Sequence, residues 1–305
     1  MAFIFNDPLT TTYIFLLFLE TVLGISYNIF LLCIIIIESK GKKTMKTANK
    51  IRITLNTSNI LYSISFFAGA VTGFLGPRNV QITDSTSAYI LNSLNIFTMT
   101  SCSGLTATLS SFYCLKIVDF KAKAIVWAKR NINVIIPWAI FGVEVVALIT
   151  SFLSMLLLIT PPKSRDNSTL SLKNSSLSSI FLSMAIILSC GPFFIIFFNS
   201  CCIARTLVNH HQRVVKKMGN SVSDKTKSFG NSPWYIMSAS LSYTFYYIFM
   251  IFYYLATTNH LRIEFWIFLL PMCSFAPLLS VHQVIANPKL KNKAKEMLKC
   301  AVCSQ

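Results

Sequence analysis

Between Val134 and Ile159 the chain reads VIIPWAIFGVEVVALITSFLSMLLLI, with Glu144 as its one charged residue. Coiled into a helix at 1.5 Å per residue, this stretch is about 39 Å long, more than the roughly 30 Å hydrocarbon core of a bilayer. Six further runs of predominantly apolar residues flank it, giving seven spans at about 13–37, 53–75, 88–118, 134–159, 180–208, 234–256 and 265–286. The second and third are diluted by Asn, Ser and Thr. The 305 residues are 54% hydrophobic and only 12% charged, with mean hydropathy +0.60, whereas a soluble domain carries about 25% charged residues. We expect an all-α membrane protein, a single seven-transmembrane helix bundle over residues 1–305. Residues 1–12 precede the first span and 287–305 form a tail.

The formal net charge of +17, from 27 Lys and Arg against 10 Asp and Glu, would suggest nucleic-acid binding in a soluble protein. Here the basic residues gather in tracts between or after spans, so we expect no nucleic-acid partner. The tract Glu38 to Arg52 holds six, Lys116 to Arg130 five, Arg205 to Ser228 six and Asn287 to Gln305 five, while all other connections together hold five. Every second connection is rich, as the positive-inside rule requires of an odd number of spans. This puts the N-terminus outside and the C-terminus in the cytosol, and we expect the chain to reside in the plasma membrane. Two sequons, at Asn167 and Asn174, fall in the fourth-to-fifth connection, where an extracellular loop would accept N-glycans. A third, at Asn56, falls inside the second span. No short apolar region with a basic leader precedes the first span, so that span is expected to direct insertion itself.

Polar residues inside the spans carry the functional information, because each is costly in lipid. Ionisable groups there are few: Glu20, Glu144 and, at inner edges, Lys116 and His282. No series of acids steps through the bilayer as an ion pathway would require. Glu20, Gly24 and Asn28 recur at i, i+4 and i+8 on helix one, and Asn56, Asn59 and Ser63 form a matching stripe on helix two. Both stripes are expected to face one another as interhelical packing groups, with ligand contact the other option for Glu20 and Asn28. On helix three, Asn92, Asn95, Met99, Ser103, Thr106, Ser110 and Tyr113 step by three or four residues. A helix with that line turned to lipid would be unstable, so helix three should be central, its outer members lining a cavity and its inner members sensing that cavity's state.

Helix six repeats the spacing in Tyr243, Tyr247, Met250 and Tyr254, and Glu264 with Phe268 opens helix seven. Small-molecule pockets are mostly apolar and aromatic with a few polar groups, so Asn92, Asn95, Met99, Tyr247, Tyr254, Glu264 and Phe268 are the candidate ligand-binding set. An interfacial aromatic belt accounts equally well for Tyr253 and Tyr254.

Catalysis has no support. The histidines are His210, His211, His260 and His282, none paired with another His or a carboxylate at zinc spacing, and nucleophile elbow, P-loop and dinucleotide motifs are absent from the sequence. We expect no enzyme activity, no cofactor and no metal. Seven cysteines lie within or beside apolar runs, and Cys300 and Cys303 end the chain. That last pair reads as palmitoylation sites beside the membrane, with a redox or half-zinc pair as the alternative. Lys alternates with Leu, Ala and Met from Pro288 to Lys299, the pattern of a short amphipathic helix on membrane lipid.

The end of helix three, Ser111-Phe112-Tyr113-Cys114-Leu115-Lys116-Ile117-Val118, resembles the Phe-Tyr-x-Leu-Lys-Ile-Ala signature of the bitter taste receptors, the type 2 taste receptor family. Leu109-Ser110 before it, Gly24-x-x-x-Asn28 in helix one, Pro192-Phe193 and Leu207-x-x-His210 in helix five, and Asn287-Pro288-Lys289-Leu290-Lys291 in the tail are similar to further family motifs, in the family's order. The resemblance implies a G-protein-coupled receptor for small organic, bitter-tasting ligands. Its partner would be a heterotrimeric G protein of the gustducin/Gi type, α with βγ, met by Tyr113, Lys116 and His210. Departures mark a divergent member. Asn59 stands where the family has Arg in helix two, so the interaction that Arg makes with helix one should be replaced. Asn95 stands for its Trp and Met99 for its Asn, so ligand preferences do not carry over. The family's histidine before the tail falls at Leu279. The related vomeronasal-type receptors are the nearest alternative, and a small-solute transporter is a further one, without visible internal repeats. The rhodopsin-like hallmarks, Asp-Arg-Tyr after helix three and Asn-Pro-x-x-Tyr in helix seven, are missing.

Overall fold

Pro8 opens the first helix, as suits a residue with no N–H to leave unpaired. The helix runs to Ser39, through residues that are apolar on most faces. The computed structural model describes residues 8–40, 45–75, 86–159, 190–210, 212–213, 216, 242–249, 251–252, 255, 270–271, 273–286 and 292. Its elements are helices: α1 Pro8–Ser39, α2 Thr47–Leu75, α3 Thr86–Ile117, α4 Lys123–Arg130 and α5 Ile132–Ile159, then α6 Cys190–His210, α7 at 242–249 and α8 Phe275–Ala286. Among the described residues, three stretches are long and apolar enough to cross a membrane: Thr11–Ser39, Ile132–Leu156 and Cys190–His210.

Helix and apolar run do not coincide at every end. α2 begins at Thr47, before the apolar run at Ile53, and so takes in Lys50 and Arg52. Both belong to the basic tract between spans, yet Arg52 is a buried helical residue. Part of the second basic tract is also helical. α4 buries no residue of its own, and Lys129 Nζ meets Asp119 Oδ1 at 2.9 Å. With Asp119 almost fully exposed, that pair adds little to stability.

Ser and Thr fit these apolar helices because most of their hydroxyls bond the carbonyl one turn back. Thr21 donates to Leu17 O at 2.8 Å, Ser63 to Asn59 O at 2.9 Å and Thr106 to Cys102 O at 2.7 Å. The polar atom is satisfied inside its own helix and needs no water. Pro137 lies inside α5, a position that removes one backbone donor and is tolerated where neighbouring groups supply partners.

α3 lies between α2 and α5. Two apolar clusters share it. Toward its Ile117 end, Leu105, Leu109 and Phe112 pack with Ile51 and Leu55 of α2 and Ile136 of α5. Toward its middle, Cys102 and Ala107 join Tyr62 of α2, Ile196 of α6, Tyr243, Tyr246 and Tyr247 of α7 and Ala276 of α8. At Gly104 an added Cβ would stand 2.6 Å from Val143 Cγ1, so α3 and α5 approach to a distance only a residue without a side chain permits. Outside this core the surface is apolar: Phe15 and Leu23 on α1, Trp138, Phe141 and Phe152 on α5, and Phe194 and Phe198 on α6 are all exposed. Soluble monomers rarely present such continuous apolar surface; lipid tails would cover it without cost.

Candidate functional site

The polar line on α3 divides into two halves with different neighbours. In the half nearer Thr86, Met99 packs against the cluster that holds Tyr62 and Tyr247. Phe193 of α6 lies over Tyr247 with ring centroids 5.2 Å apart, and Tyr243 stacks on Tyr247 at 5.6 Å. Phe66 tilts against Tyr62 at 5.5 Å. Met99 and Tyr247, chosen separately for a ligand site, thus share one aromatic surround. Asn95, one turn before Met99, faces α2 closely: a Cβ on Gly69 would stand 2.9 Å from its Nδ2. Its Oδ1 is buried and accepts no hydrogen bond from a described residue. A thioether, several aromatic rings and one amide are thus brought together, the kinds of group that line small-molecule pockets.

Asn92 departs from the expected line. Its side chain is exposed, and the neighbouring Ser93 is buried instead, with its carbonyl accepting from Ser151 of α5 at 2.8 Å. The line from Asn92 to Tyr113 averages 3.5 residues per turn, so on a 3.6-residue helix it drifts about 20° per heptad, roughly 60° over its length. Its first member therefore leaves the face its later members occupy. Tyr254, Glu264 and Phe268 lie outside the described residues.

In the half nearer Ile117, Arg52 Nη2 donates to Tyr113 Oη, and the guanidinium carbon is 5.9 Å from the Tyr113 ring centre. Asn199 of α6 donates to Ser111 Oγ at 2.9 Å. Lys116 is exposed, its Nζ 5.9 Å from the Phe112 ring centre, and His210 is exposed at the end of α6. The structure thus ties Tyr113 to α2 and leaves Lys116 and His210 at the surface. Sequence reasoning missed Arg52 because its charge assigned it to a connection. A signal was present, since Arg52, Asn56, Asn59 and Ser63 continue one stripe at spacings of four, three and four.

Two further polar sets join helices. Ser101 Oγ donates to Glu144 Oε1 at 2.8 Å and, having spent its proton there, accepts from Ser58 Oγ at 3.0 Å. This series links α2, α3 and α5 through a carboxyl group to which the sequence assigned no role. On the other side of α2, Asn59 Nδ2 donates to Asn28 Oδ1 at 3.2 Å, and Asn28 Nδ2 to Gly24 O at 2.7 Å. A Cβ on Gly24 would stand 3.2 Å from Ser63 Oγ and 3.3 Å from Pro277 Cδ, and Ser274 donates to Glu20 Oε1 at 2.6 Å. The described cysteines are all free, and among the described residues no three His, Cys, Asp or Glu side chains come together as a metal site would need. Asn167, Asn174, Cys300 and Cys303 lie outside the described residues.

Comparison with known proteins adds an independent line. The family model described as taste receptor protein (TAS2R) matches residues 6–302. Taste receptor type 2 member 8 of Pongo pygmaeus is 28% identical over 158 residues, which are 50% of this chain and 48% of that protein. The chain therefore spans about half the length of the curated relative it matches.

Proposed function

This chain belongs to the taste receptor (TAS2R) family, a receptor family rather than an enzyme family, and with its long apolar helices is a multi-pass membrane protein; from that premise we propose that it is a chemoreceptor for small organic, bitter-tasting ligands. Its architecture is a single seven-helix bundle of the G-protein-coupled type, N-terminus outside and C-terminus in the cytosol. The observation that carries this is the division of α3. One half meets an aromatic surround at Met99 and Tyr247, and the other ends in Tyr113 and Lys116.

The ligand enters from outside and contacts Asn92, Asn95, Met99 and Tyr247, with Tyr254, Glu264 and Phe268 completing the site. It acts only by binding the active arrangement more tightly than the resting one, because equal affinity for both would shift nothing. In the resting arrangement Arg52 holds Tyr113 against α2. Activation moves the inner end of α3 so that Tyr113, Lys116 and His210 meet a heterotrimeric G protein of the gustducin/Gi type. Glu20, Asn28 and Asn59 serve helix packing. Asn167 and Asn174 carry N-glycans, and Cys300 and Cys303 are acylated at the inner leaflet.

The test is calcium release in cells co-expressing the chain with a promiscuous G-protein α subunit, challenged with a panel of bitter alkaloids and glycosides. Ligand-evoked, α-subunit-dependent calcium release is expected. Ligand-dependent current or uptake that persists without any G protein would identify a transporter instead.

A further inference from the structure

Two cysteines outside the ligand and coupling sets stand together between α3 and α6. Cys114 is 3% exposed and Cys202 is partly exposed. Both are free thiols, and their side chains interact with each other. The packing of the two helices puts them there. Ala107 of α3 shares an apolar cluster with Ile196 of α6, and further along Asn199 donates to Ser111 Oγ at 2.9 Å, a pair 88 residues apart in the chain. Advancing along α3 thus advances along α6, so the two helices run parallel in this region. Three residues beyond Ser111 and three beyond Asn199 come Cys114 and Cys202, about 4.5 Å further along each helix. They therefore lie at one level of the same interface.

That level is close to the inner edge of the bundle. Lys116, whose side chain is exposed, follows Cys114 by two residues, about 3 Å along the axis. Arg205, also exposed, follows Cys202 by three. Charged groups so placed reach water or headgroups, and a small polar oxidant in the cytosol reaches Cys202 from there. The adjoining residue, Tyr113, is the one that Arg52 ties to α2.

We propose that Cys114 and Cys202 are a reversible dithiol–disulfide pair, closed by hydrogen peroxide, that staples α3 to α6 and silences the chain. Cys202, the more accessible, reacts first: its thiolate attacks one peroxide oxygen, an S–O bond forms, the O–O bond breaks and hydroxide leaves. The product is a sulfenic acid, which condenses with a neighbouring thiol. Cys114, its proton given up to hydroxide, attacks the Cys202 sulfur, so that the S–S bond forms, the S–O bond breaks and a second hydroxide leaves. Two thiols lose two electrons to one peroxide, and with their two protons the hydroxides become two waters. Glutathione reverses the step by thiol–disulfide exchange, which fits a cytosolic pair that signals rather than one that holds the fold. A covalent link beside Tyr113 keeps the inner end of α3 from moving relative to α6. The silencing rests on the receptor reading above, whereas the closure of the bond does not.

The experiment has a chemical arm and a signalling arm. In the first, membranes holding the full chain are treated with hydrogen peroxide, remaining thiols are blocked with N-ethylmaleimide, and the digest is searched by mass spectrometry. A linked Cys114–Cys202 peptide that dithiothreitol removes is expected; its absence would show two thiols that merely pack, and overturns the proposal. In the second, ligand-evoked calcium release is read before and after peroxide. Wild type and Cys201→Ser, which changes the exposed neighbour, should lose most of their amplitude and regain it on reduction, while Cys202→Ser keeps its amplitude throughout. A linked peptide with undiminished wild-type signalling, or an equal peroxide loss in Cys202→Ser, overturns the switch. Should Cys202→Ser not reach the surface, Cys114→Ser takes its place with the same expectation. A reduced wild-type chain that no ligand activates would sink the receptor reading instead, and the linked peptide would still decide whether the bond closes.

Discussion

α3 and α5 lie against each other, yet they meet their surroundings in opposite ways. α5 turns Val134, Trp138, Phe141, Leu148 and Phe152 outward and sets Ile136, Ala147 and Ser154 inward. α3 exposes large apolar side chains only at Ile90 and Leu94 among the described residues, near its start. α5 qualifies as a membrane span by length and composition, and α3 does not. The difference teaches that apolar content in such a chain measures contact with lipid rather than burial. The peripheral helix is the more hydrophobic of the two. The central helix can carry Ser, Thr and Asn because its neighbours, or its own carbonyls, take their hydrogen bonds.

The strongest way to break this pairing is at its closest approach. Gly104→Leu would drive a side chain into Val143, whose Cγ1 already stands 2.6 Å from the Cβ position, and is expected to cost about 3 kcal/mol. Loss of surface delivery and a lowered unfolding midpoint would register it. Gly104→Ala alone should cost less, and adding Val143→Ala to it should recover most of that smaller loss, which separates crowding from any other effect.

Next comes the polar end of α3. Tyr113→Phe keeps the ring but removes the oxygen that Arg52 donates to, leaving a buried guanidinium without that acceptor, at a cost of about 2 kcal/mol in the same unfolding assay. Ser101→Ala strips Glu144 of its donor and Ser58 of its acceptor. The expected cost is about 1–2 kcal/mol. Glu144→Gln keeps an acceptor oxygen and should cost less than Ser101→Ala; a larger loss would mean that the charge, not the hydrogen bond, matters there. At the small end, Trp138→Leu on the outward face of α5, where Trp138 is 70% exposed, should change stability by no more than about 0.5 kcal/mol. A change as large as that of Ser101→Ala would show that this face meets protein rather than lipid.

Much of the helical layout is legible in one sequence because lipid imposes length. The apolar run at 134–159 marks α5 nearly to its ends. The start of α2 is not legible in that way, since Thr47 to Arg52 is helical without being apolar. The stripe of Asn56, Asn59 and Ser63 follows from spacing alone, whereas the neighbour each residue meets depends on how three helices cross. Arg52 shows the cost of sorting residues by charge: it continues the stripe, yet a basic residue next to a basic tract looks like a topology signal. Asn92 shows the opposite error, a stripe followed too far along a helix whose period is not quite its own. The placing of Met99 and Tyr247 in one cluster draws on α3, α6 and α7 together, and no local pattern encodes it.

The central claim is that α3 receives ligand at one half and hands the signal on at the other. It is tested most directly by concentration–response curves for calcium release, normalised to surface expression, for Met99→Ala and Lys116→Ala beside wild type. The account predicts that Met99→Ala shifts the half-maximal concentration by about tenfold, the effect of ~1.4 kcal/mol of lost ligand contact, with amplitude retained. It predicts that Lys116→Ala loses amplitude at every concentration. A wild-type amplitude from Lys116→Ala, or the same defect in both variants, would contradict it.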